Sequence, residues 1–314
     1  PEFEGLADYR GTTYHTGNWP HEEIDFTGKR IAVIGTGSSA IQAIPVLAEQ
    51  AEHVTVFQRT PNYSLPSRNG PMTEDYANSW KDNYAALREE QRHTPKGALG
   101  EFRNISGIGA ADDERATAYE ERWDRGGSAL LGSYRDMLVD ESVNETAAEF
   151  VRDKIRTIVK DPQVAELLAA KGYPIGTKRI CIDSGYFETF NRDNVALVDL
   201  NDTPIDRITP NGLATTGRSF DFDAIVFATG FDAMTGSVTR IRITGKGGQT
   251  IQQKWAEGPK TYLGLMISGF PNMFNMVSAG SPSVLATMVT AAEQHGDWVG
   301  ECLDHMRETG KTVI

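Results

Sequence analysis

Lys29 to Thr60, KRIAVIGTGSSAIQAIPVLAEQAEHVTVFQRT, constrains the fold more than any other part of the chain. Arg30 to Ile34 is a mostly apolar, β-branched run, and Val54 to Phe57 is a second. Between them Ile41, Ile44, Leu47 and Ala48 recur at the spacing of one helix face. Strand, glycine turn, helix and strand in that order make a βαβ unit, so the chain is expected to be α/β and Rossmann-like. Pro45 inside the helical run removes a backbone donor and predicts a local irregularity there.

The turn itself, GTGSSA from Gly35 to Ala40, has the spacing of a GxGxxG/A dinucleotide fingerprint. Such a string alone is weak evidence, but a strand before it and a helix after it supply a mechanism. Gly35 permits the tight turn, Gly37 lets the backbone approach a pyrophosphate, and Ala40 permits close helix packing. The free N–H groups of the helix N-terminus hold the phosphates, helped by the hydroxyls of Ser38 and Ser39. Thr36 and Gln42 complete the cofactor-binding positions on this turn and helix. A glycine turn in a plain α/β domain is the alternative without a ligand.

The end of the second strand bears on which dinucleotide is bound. An NAD site places an Asp or Glu there for the ribose 2'-hydroxyl, whereas this chain has Gln58-Arg59-Thr60. A guanidinium beside a hydroxyl suits a 2'-phosphate, so Arg59 and Thr60 point to NADPH. A surface arginine with no ligand is the plain alternative. GKGGQT at Gly245 to Thr250 lacks P-loop spacing and GIGAAD has no strand before it, which leaves one dinucleotide fingerprint.

Charge and cysteine usage narrow the partners. With 43 Asp and Glu against 31 Lys and Arg, the formal net charge is -12, which argues against a nucleic-acid or anionic-membrane surface and for small molecules. Cys181 and Cys302 stand far apart with no CxxC and no Cys/His cluster, so neither a disulfide framework nor a metal site is expected. No apolar run approaches the roughly 18 to 20 residues of a membrane span, and no signal-peptide pattern opens the chain. These features suggest a cytoplasmic, non-membrane protein.

Thr73 to about Lys171 is charged and rich in Ala, Glu and Arg, and reads as a helical insertion interrupted by the glycine-rich loops GALGEFRNISGIGA and RGGSALLGS. Tyr76, Trp80 and Tyr84, four residues apart, would line one helix face and are expected to pack inward. Strand-like runs follow at Val195 to Leu200, Asp206 to Ile208, Gly212 to Thr216, Phe220 to Ala228 and Thr239 to Ile243. The short turns among the middle runs predict a small antiparallel meander. Ser283 to Met306 reads as a long helix.

The opening stretch YRGTTYHTGNWP sets Gly11, His15 and Trp19 at four-residue steps. By itself it could be a polar loop, or an edge strand with a surface histidine. Placed before GTGSSA, however, it closely resembles the FxGxxxHxxxW(P/D) fingerprint of the Baeyer-Villiger monooxygenases, with Tyr9 where the family has Phe. Further blocks resemble that family in order: VFQRTPNYSLP, GTKRICIDSGYFETFNRDNV, FATGFDAMTG, KWAEGPKTYLG, GFPNMF, GSPSVL and EQHGDW.

The resemblance implies an NADPH- and FAD-dependent enzyme that inserts one oxygen from O2 beside a ketone carbonyl, giving an ester or lactone. It implies that Arg179 is the catalytic cation stabilising a peroxyflavin, and that Lys178 joins Arg59 on the 2'-phosphate. Ala228 and Thr229 fall where the family crosses from its NADP domain back to its FAD domain. GSPSVLATM is similar to the loop that carries the substrate pocket, here Ser283, Val284 and Leu285, with Met288 beside the cofactor; Ala286 and Thr287 depart from the Ser and Asn of the family. His15 would be a linker residue coupling domain motion to cofactor position, with simple packing as the alternative.

The implied organisation is a linker over 1–24, an NADP-binding domain over 25–230 containing the insertion at about 73–171, and a returning part of an FAD-binding domain over 231–314. The family's own FAD loop, the aspartate that positions its arginine and a tail with an active-site tryptophan have no counterpart here. The resemblance therefore implies a central fragment that lacks the N-terminal FAD lobe and the C-terminal tail. An N- or S-oxygenating flavin monooxygenase and a non-catalytic NADP-binding module are the alternatives. A pyridine-nucleotide disulfide reductase is excluded, because its redox CxxxxC is absent.

Overall fold

Parallel strands buried on both faces read as continuous apolar runs, and the run Ile31 to Ile34 forms the middle strand of such a sheet. The computed structural model describes residues 2–94, 96–100, 102–281 and 286–314. In chain order the elements are β1 (Thr12–His15), β2 (Arg30–Ile34), α1 (Ser38–Gln50), β3 (His53–Gln58) and β4 (Ser64–Pro66). They are followed by α2 (Glu74–Asp82), α3 (Tyr84–Arg92), α4 (Asp112–Arg125), α5 (Glu141–Ile158) and α6 (Pro162–Leu168). Next come β5 (Cys181–Asp183), α7 (Tyr186–Thr189), β6 (Val195–Asp199), β7 (Ile205–Thr209), β8 (Gly212–Thr215), β9 (Ser219–Asp221) and β10 (Ala224–Phe227). Helices α8 (Gly236–Thr239), α9 (Ile251–Lys254) and α10 (Met288–Glu308) complete the order.

The chain divides into two compact units, Pro1–Gly70 with Glu101–Gly230, and Pro71–Gly100 with Phe231–Ile314. In the first, five parallel strands lie in the order β1-β10-β2-β3-β6. Alternation along β2 assigns its side chains to the two faces. Ile31 and Val33 pack with Ile41, Ile44 and Leu47 of α1, in a cluster that extends to Trp123 of α4 and Ile155 of α5. Ala32 and Ile34 pack on the opposite side with Phe57, Phe227 and the meander residues Ile208 and Leu213. The meander is the antiparallel sheet β7-β8-β9, as its short turns suggest. A separate parallel pair, β4 and β5, aligns Ser64 with Cys181 and Pro66 with Asp183.

Helix α1 runs from Ser38 to Gln50 with Pro45 inside it, where the ring has no N–H to give the helix ladder. Several expectations need correction. Residues 1–24 are more than a linker, since Thr12–His15 pairs along β10 as the edge strand of the sheet, with His15 opposite Phe227. The helical stretch 73–171 is not one insertion, because 71–100 belongs to the second unit. Within that unit it meets α10 through polar side chains: Arg88 pairs with Glu293, Arg92 with Asp297 at 3.0 Å, and Gln91 Nε2 donates to Thr290 Oγ1 at 2.9 Å. Thr239 to Ile243 is not a strand; a helical turn starts where Thr235 N donates to Asp232 Oδ1, and it ends at Thr239. Tyr76, Trp80 and Tyr84 are exposed rather than packed inward. Trp80 lies edge-on to Tyr76 at 6.2 Å, and the Arg88 guanidinium lies 5.6 Å from the Tyr84 ring centre.

The second unit has its own small core of Ile251, Trp255, Ile267 and Phe270. On α10, buried His295 accepts the Val277 N–H at Nδ1, 3.0 Å away. The final helix starts at Met288, and the Ser283 end expected for it lies outside the described residues. Among the described residues no helix is long and apolar enough to cross a membrane, and no group of His, Cys, Asp and Glu is placed to hold a metal ion.

Candidate nucleotide-binding site

The turn after β2 depends on two glycines for different reasons. Gly35 has φ +108°, and a Cβ there would stand 2.5 Å from the Ala228 carbonyl oxygen, so only glycine fits between β2 and the end of β10. Gly37 has φ -81° and precedes α1; a Cβ there would meet nothing within 4 Å. Its lack of a side chain therefore leaves space in front of the helix. No side chain caps the α1 N-terminus, so its first N–H groups remain available to an anion. Ser38 and Ser39 are exposed on that first turn and Ala40 is buried. Exposed Gln42 reaches back with Nε2 to 3.5 Å from Ser38 Oγ.

The loop leaving β3 is tied to this turn. Thr36 Oγ1 donates to the Thr60 carbonyl at 3.1 Å, and Asn62 Nδ2 donates to the Thr36 carbonyl at 2.7 Å. One residue away, Tyr173 OH donates to the Pro61 carbonyl at 2.8 Å. The Tyr173 ring faces Lys178, whose Nζ lies 4.4 Å from the ring centre.

These pieces enclose a cavity of about 540 Å³, lined by Gly35, Thr36, Gly37, Arg59, Thr60, Asn62 and Lys178, with Ala228, Thr229 and Gly230 from the β10 end. Its apolar wall is Phe3, Ile34, Phe57, Leu200, Pro204 and Ile205. That size and mixture suit a cofactor site. Arg59 and Lys178 are the cations of the lining, which contains no Asp or Glu. Arg59 is exposed and has no ion-pair partner among the described residues. Two cations without a carboxylate match a phosphate better than a ribose diol.

Other sequence-derived positions lie elsewhere. Arg179 is exposed and does not line the cavity, although it follows Lys178 directly. Met288 is the exposed first residue of α10, in the second unit. Ser283, Val284 and Leu285 lie outside the described residues.

The opening fingerprint has a local physical account. A Cβ on Gly11 would collide with the Tyr9 hydroxyl and approach the Asp223 carbonyl to 2.6 Å. Tyr9 OH donates to the Phe222 carbonyl at 2.9 Å, a bond that phenylalanine cannot make. Burial, with a smaller effect of Asp223, pushes Tyr9 up to about 12, so it stays a neutral donor. His15 Nδ1 accepts the Gly17 N–H at 3.1 Å. Trp19 packs against Tyr14 and Phe26, with centroids 5.4 and 6.3 Å apart.

Asn62 and Tyr173 belong to the site without a role in the sequence motifs. Asn62 is legible from its place after Arg59 and Thr60 in one loop. Tyr173 carries no sequence signal, because its contact with Pro61 spans 112 positions.

No family model matches the chain. It is similar to cyclopentanone 1,2-monooxygenase of Comamonas sp. (strain NCIMB 9872), 39% identical over 100% of this chain and 58% of the relative. A protein named Baeyer-Villiger monooxygenase from Pseudooceanicola batsensis is 36% identical over 99% of this chain and 56% of its own length. Phenazine N-monooxygenase PhzNO1 of Lysobacter antibioticus is 35% identical over 100% of the chain and 58% of its own length. Among solved structures, an oxidised steroid monooxygenase bound to NADP is 50% identical with a TM-score of 0.92, covering 99% of this chain and 59% of that one. OTEMO in complex with FAD and NADP is 39% identical with a TM-score of 0.94, over 99% of this chain and 59% of that one. The chain thus spans somewhat under three-fifths of the length of these relatives. Over that span it is similar to Baeyer-Villiger monooxygenases.

Proposed function

We propose that the chain binds NADPH in the cavity at the carboxyl end of β2, as the nucleotide-binding part of an FAD-dependent monooxygenase that inserts oxygen beside a ketone carbonyl. The observation that carries this is the convergence of the GTGSSA turn, Arg59, Thr60 and Lys178 on one cavity without a carboxylate. The uncapped N-terminus of α1 and Gly37 hold the pyrophosphate, and Arg59 with Lys178 grips the 2'-phosphate. Arg179, exposed beside Lys178 and outside this cavity, takes no part in holding the nucleotide. When bound, NADPH supplies the hydride for a flavin that activates O2.

The flavin is a different case. The sequence has one GxGxxG/A cradle, already used by the nicotinamide nucleotide, so no step is assigned to this chain's residues through FAD. Segments of the relatives that this chain does not span are proposed to hold it. Oxygenation at nitrogen is the second reading, favoured by the similarity to the phenazine N-monooxygenase.

The protein in the form its gene encodes, supplied with FAD, NADPH and O2, is to be offered cyclic and linear ketones alongside amines, phenazines and sulfides, with products followed by mass. Ester or lactone formation is expected. Oxygenation of the amines, phenazines or sulfides alone would overturn the ketone assignment. In the same assay Arg59→Ala should raise the KM for NADPH by about tenfold or more while leaving that for NADH nearly unchanged.

A further inference from the structure

We propose that Tyr173 is a specificity-determining positioning residue for the 2'-phosphate. Its ring places the Lys178 ammonium, and its hydroxyl holds the loop that carries Arg59. The proposal rests on Arg59 and Lys178 being the 2'-phosphate pair.

Two side-chain contacts and one backbone contact fix this residue. Tyr173 OH donates to the Pro61 carbonyl at 2.8 Å, two residues after Arg59. Its ring meets the Tyr63 ring edge-on at 5.4 Å. Its own carbonyl accepts from Tyr63 OH at 3.4 Å, and Arg152 Nη1 donates to the same Tyr63 oxygen at 3.1 Å. Arg152 is buried and paired with Glu145 and Glu149, so the aromatic pair is anchored to helix α5. Tyr173 therefore has little freedom to follow a moving loop.

That rigidity is passed to the two cations. Lys178 is a flexible, exposed side chain whose terminal bonds would otherwise sample many rotamers. The ring face at 4.4 Å gives its ammonium a preferred position while leaving N–H donors free for a ligand. On the other side, Pro61 lies between Thr60, whose carbonyl accepts from Thr36, and Asn62, whose amide donates to Thr36. Through its bond to the Pro61 carbonyl, Tyr173 joins the Lys178 segment to the same network that registers Arg59 against the phosphate turn. A ligand with only a ribose hydroxyl makes no use of this arrangement. The preference for a phosphorylated ribose is thus set partly by a residue that does not line the cavity.

The test is direct binding by calorimetry, with NADP+ and NAD+ titrated into wild-type protein and into the Tyr173→Leu and Tyr173→Phe variants. Tyr173→Leu should weaken NADP+ binding about three- to tenfold and leave NAD+ within about twofold, because both the ring and the hydroxyl are lost. Tyr173→Phe keeps the ring and should show a smaller loss confined to NADP+. NAD+ affinity reports that the pyrophosphate site is still folded, and the Phe variant keeps the test decisive if the Leu variant does not fold. Equal losses for both nucleotides, or no change in their ratio, would overturn the proposal. Lys178→Ala and Arg59→Ala separate the two levels of argument. If they too leave the NADP+/NAD+ ratio unchanged, the 2'-phosphate site itself is wrong. If they shift the ratio and neither Tyr173 variant does, only the role of Tyr173 fails.

Discussion

Asn62 donates its Nδ2 to the Thr36 carbonyl at 2.7 Å, so the loop after β3 is registered on the phosphate-binding turn after β2. Thr36 is buried and returns a bond from Oγ1 to the Thr60 carbonyl. Asn62→Ala leaves the Thr36 carbonyl short of a donor and should lower stability by about 1 kcal/mol. It should also weaken NADP+ binding more than NAD+ binding, since Arg59 loses its register. Urea unfolding and nucleotide titration check both parts, and an unchanged unfolding midpoint would show that the bond contributes nothing.

The two glycines of the turn should separate stability from binding. Gly35→Ala forces an L-residue to φ +108° against the Ala228 carbonyl and should cost about 2 kcal/mol or more. Gly37→Ala has ordinary φ and open space, so unfolding should shift by no more than about 0.5 kcal/mol. Its methyl group nevertheless stands in front of the helix N-terminus and should weaken both NADP+ and NAD+. A Gly37→Ala protein that binds both nucleotides normally would contradict the proposed pyrophosphate position.

Asp183 gives a pH-dependent prediction. It is buried, accepts from Ser64 Oγ at 2.5 Å and from the Tyr186 N–H at 3.2 Å, and burial raises its pKa above the ordinary carboxylate range despite those bonds. A raised folded pKa means that the fold holds the proton more tightly than the unfolded chain does. The stability it contributes is full below the unfolded value near about 4 and is lost as pH rises through the folded value. Asp183→Asn keeps an acceptor for Tyr186 and can donate to Ser64, whose hydroxyl can turn to the Cys181 carbonyl. The variant should equal or exceed wild type in stability at pH 7, with the difference shrinking towards pH 4. Urea midpoints across that range decide it; a constant deficit at every pH would refute the account.

His295 has the opposite sign. Burial lowers its pKa below the usual histidine value, and Nδ1 must be unprotonated to accept the Val277 N–H. The stability it contributes is present above the unfolded value near about 6.5 and is lost as pH falls through the folded value. NMR titration of the ring should give an apparent pKa below that of a histidine peptide. His295→Ala should be less stable than wild type at pH 7.5 and should lose part of the pH dependence of unfolding between pH 7 and 5. An identical pH dependence in the variant would remove His295 as the source.

Local spacing made much of this protein readable without coordinates. The period-3.6 run between two apolar strands, the glycines of GTGSSA, and Arg59 with Thr60 at the next strand end all lie within one short segment, where hydrophobic periodicity and turn chemistry act directly. The Lys178 position came only from resemblance, because no periodicity links it to Arg59. Tertiary packing alone decided the rest. Thr12–His15 is an edge strand paired in parallel with β10, and residues 71–100 lie in the second unit, where Arg88, Gln91 and Arg92 meet partners on α10. Tyr173 meets Pro61 across 112 positions. Such pairs form where two faces happen to be brought together by burying apolar surface elsewhere, and neither local propensity nor spacing encodes which polar groups will then meet.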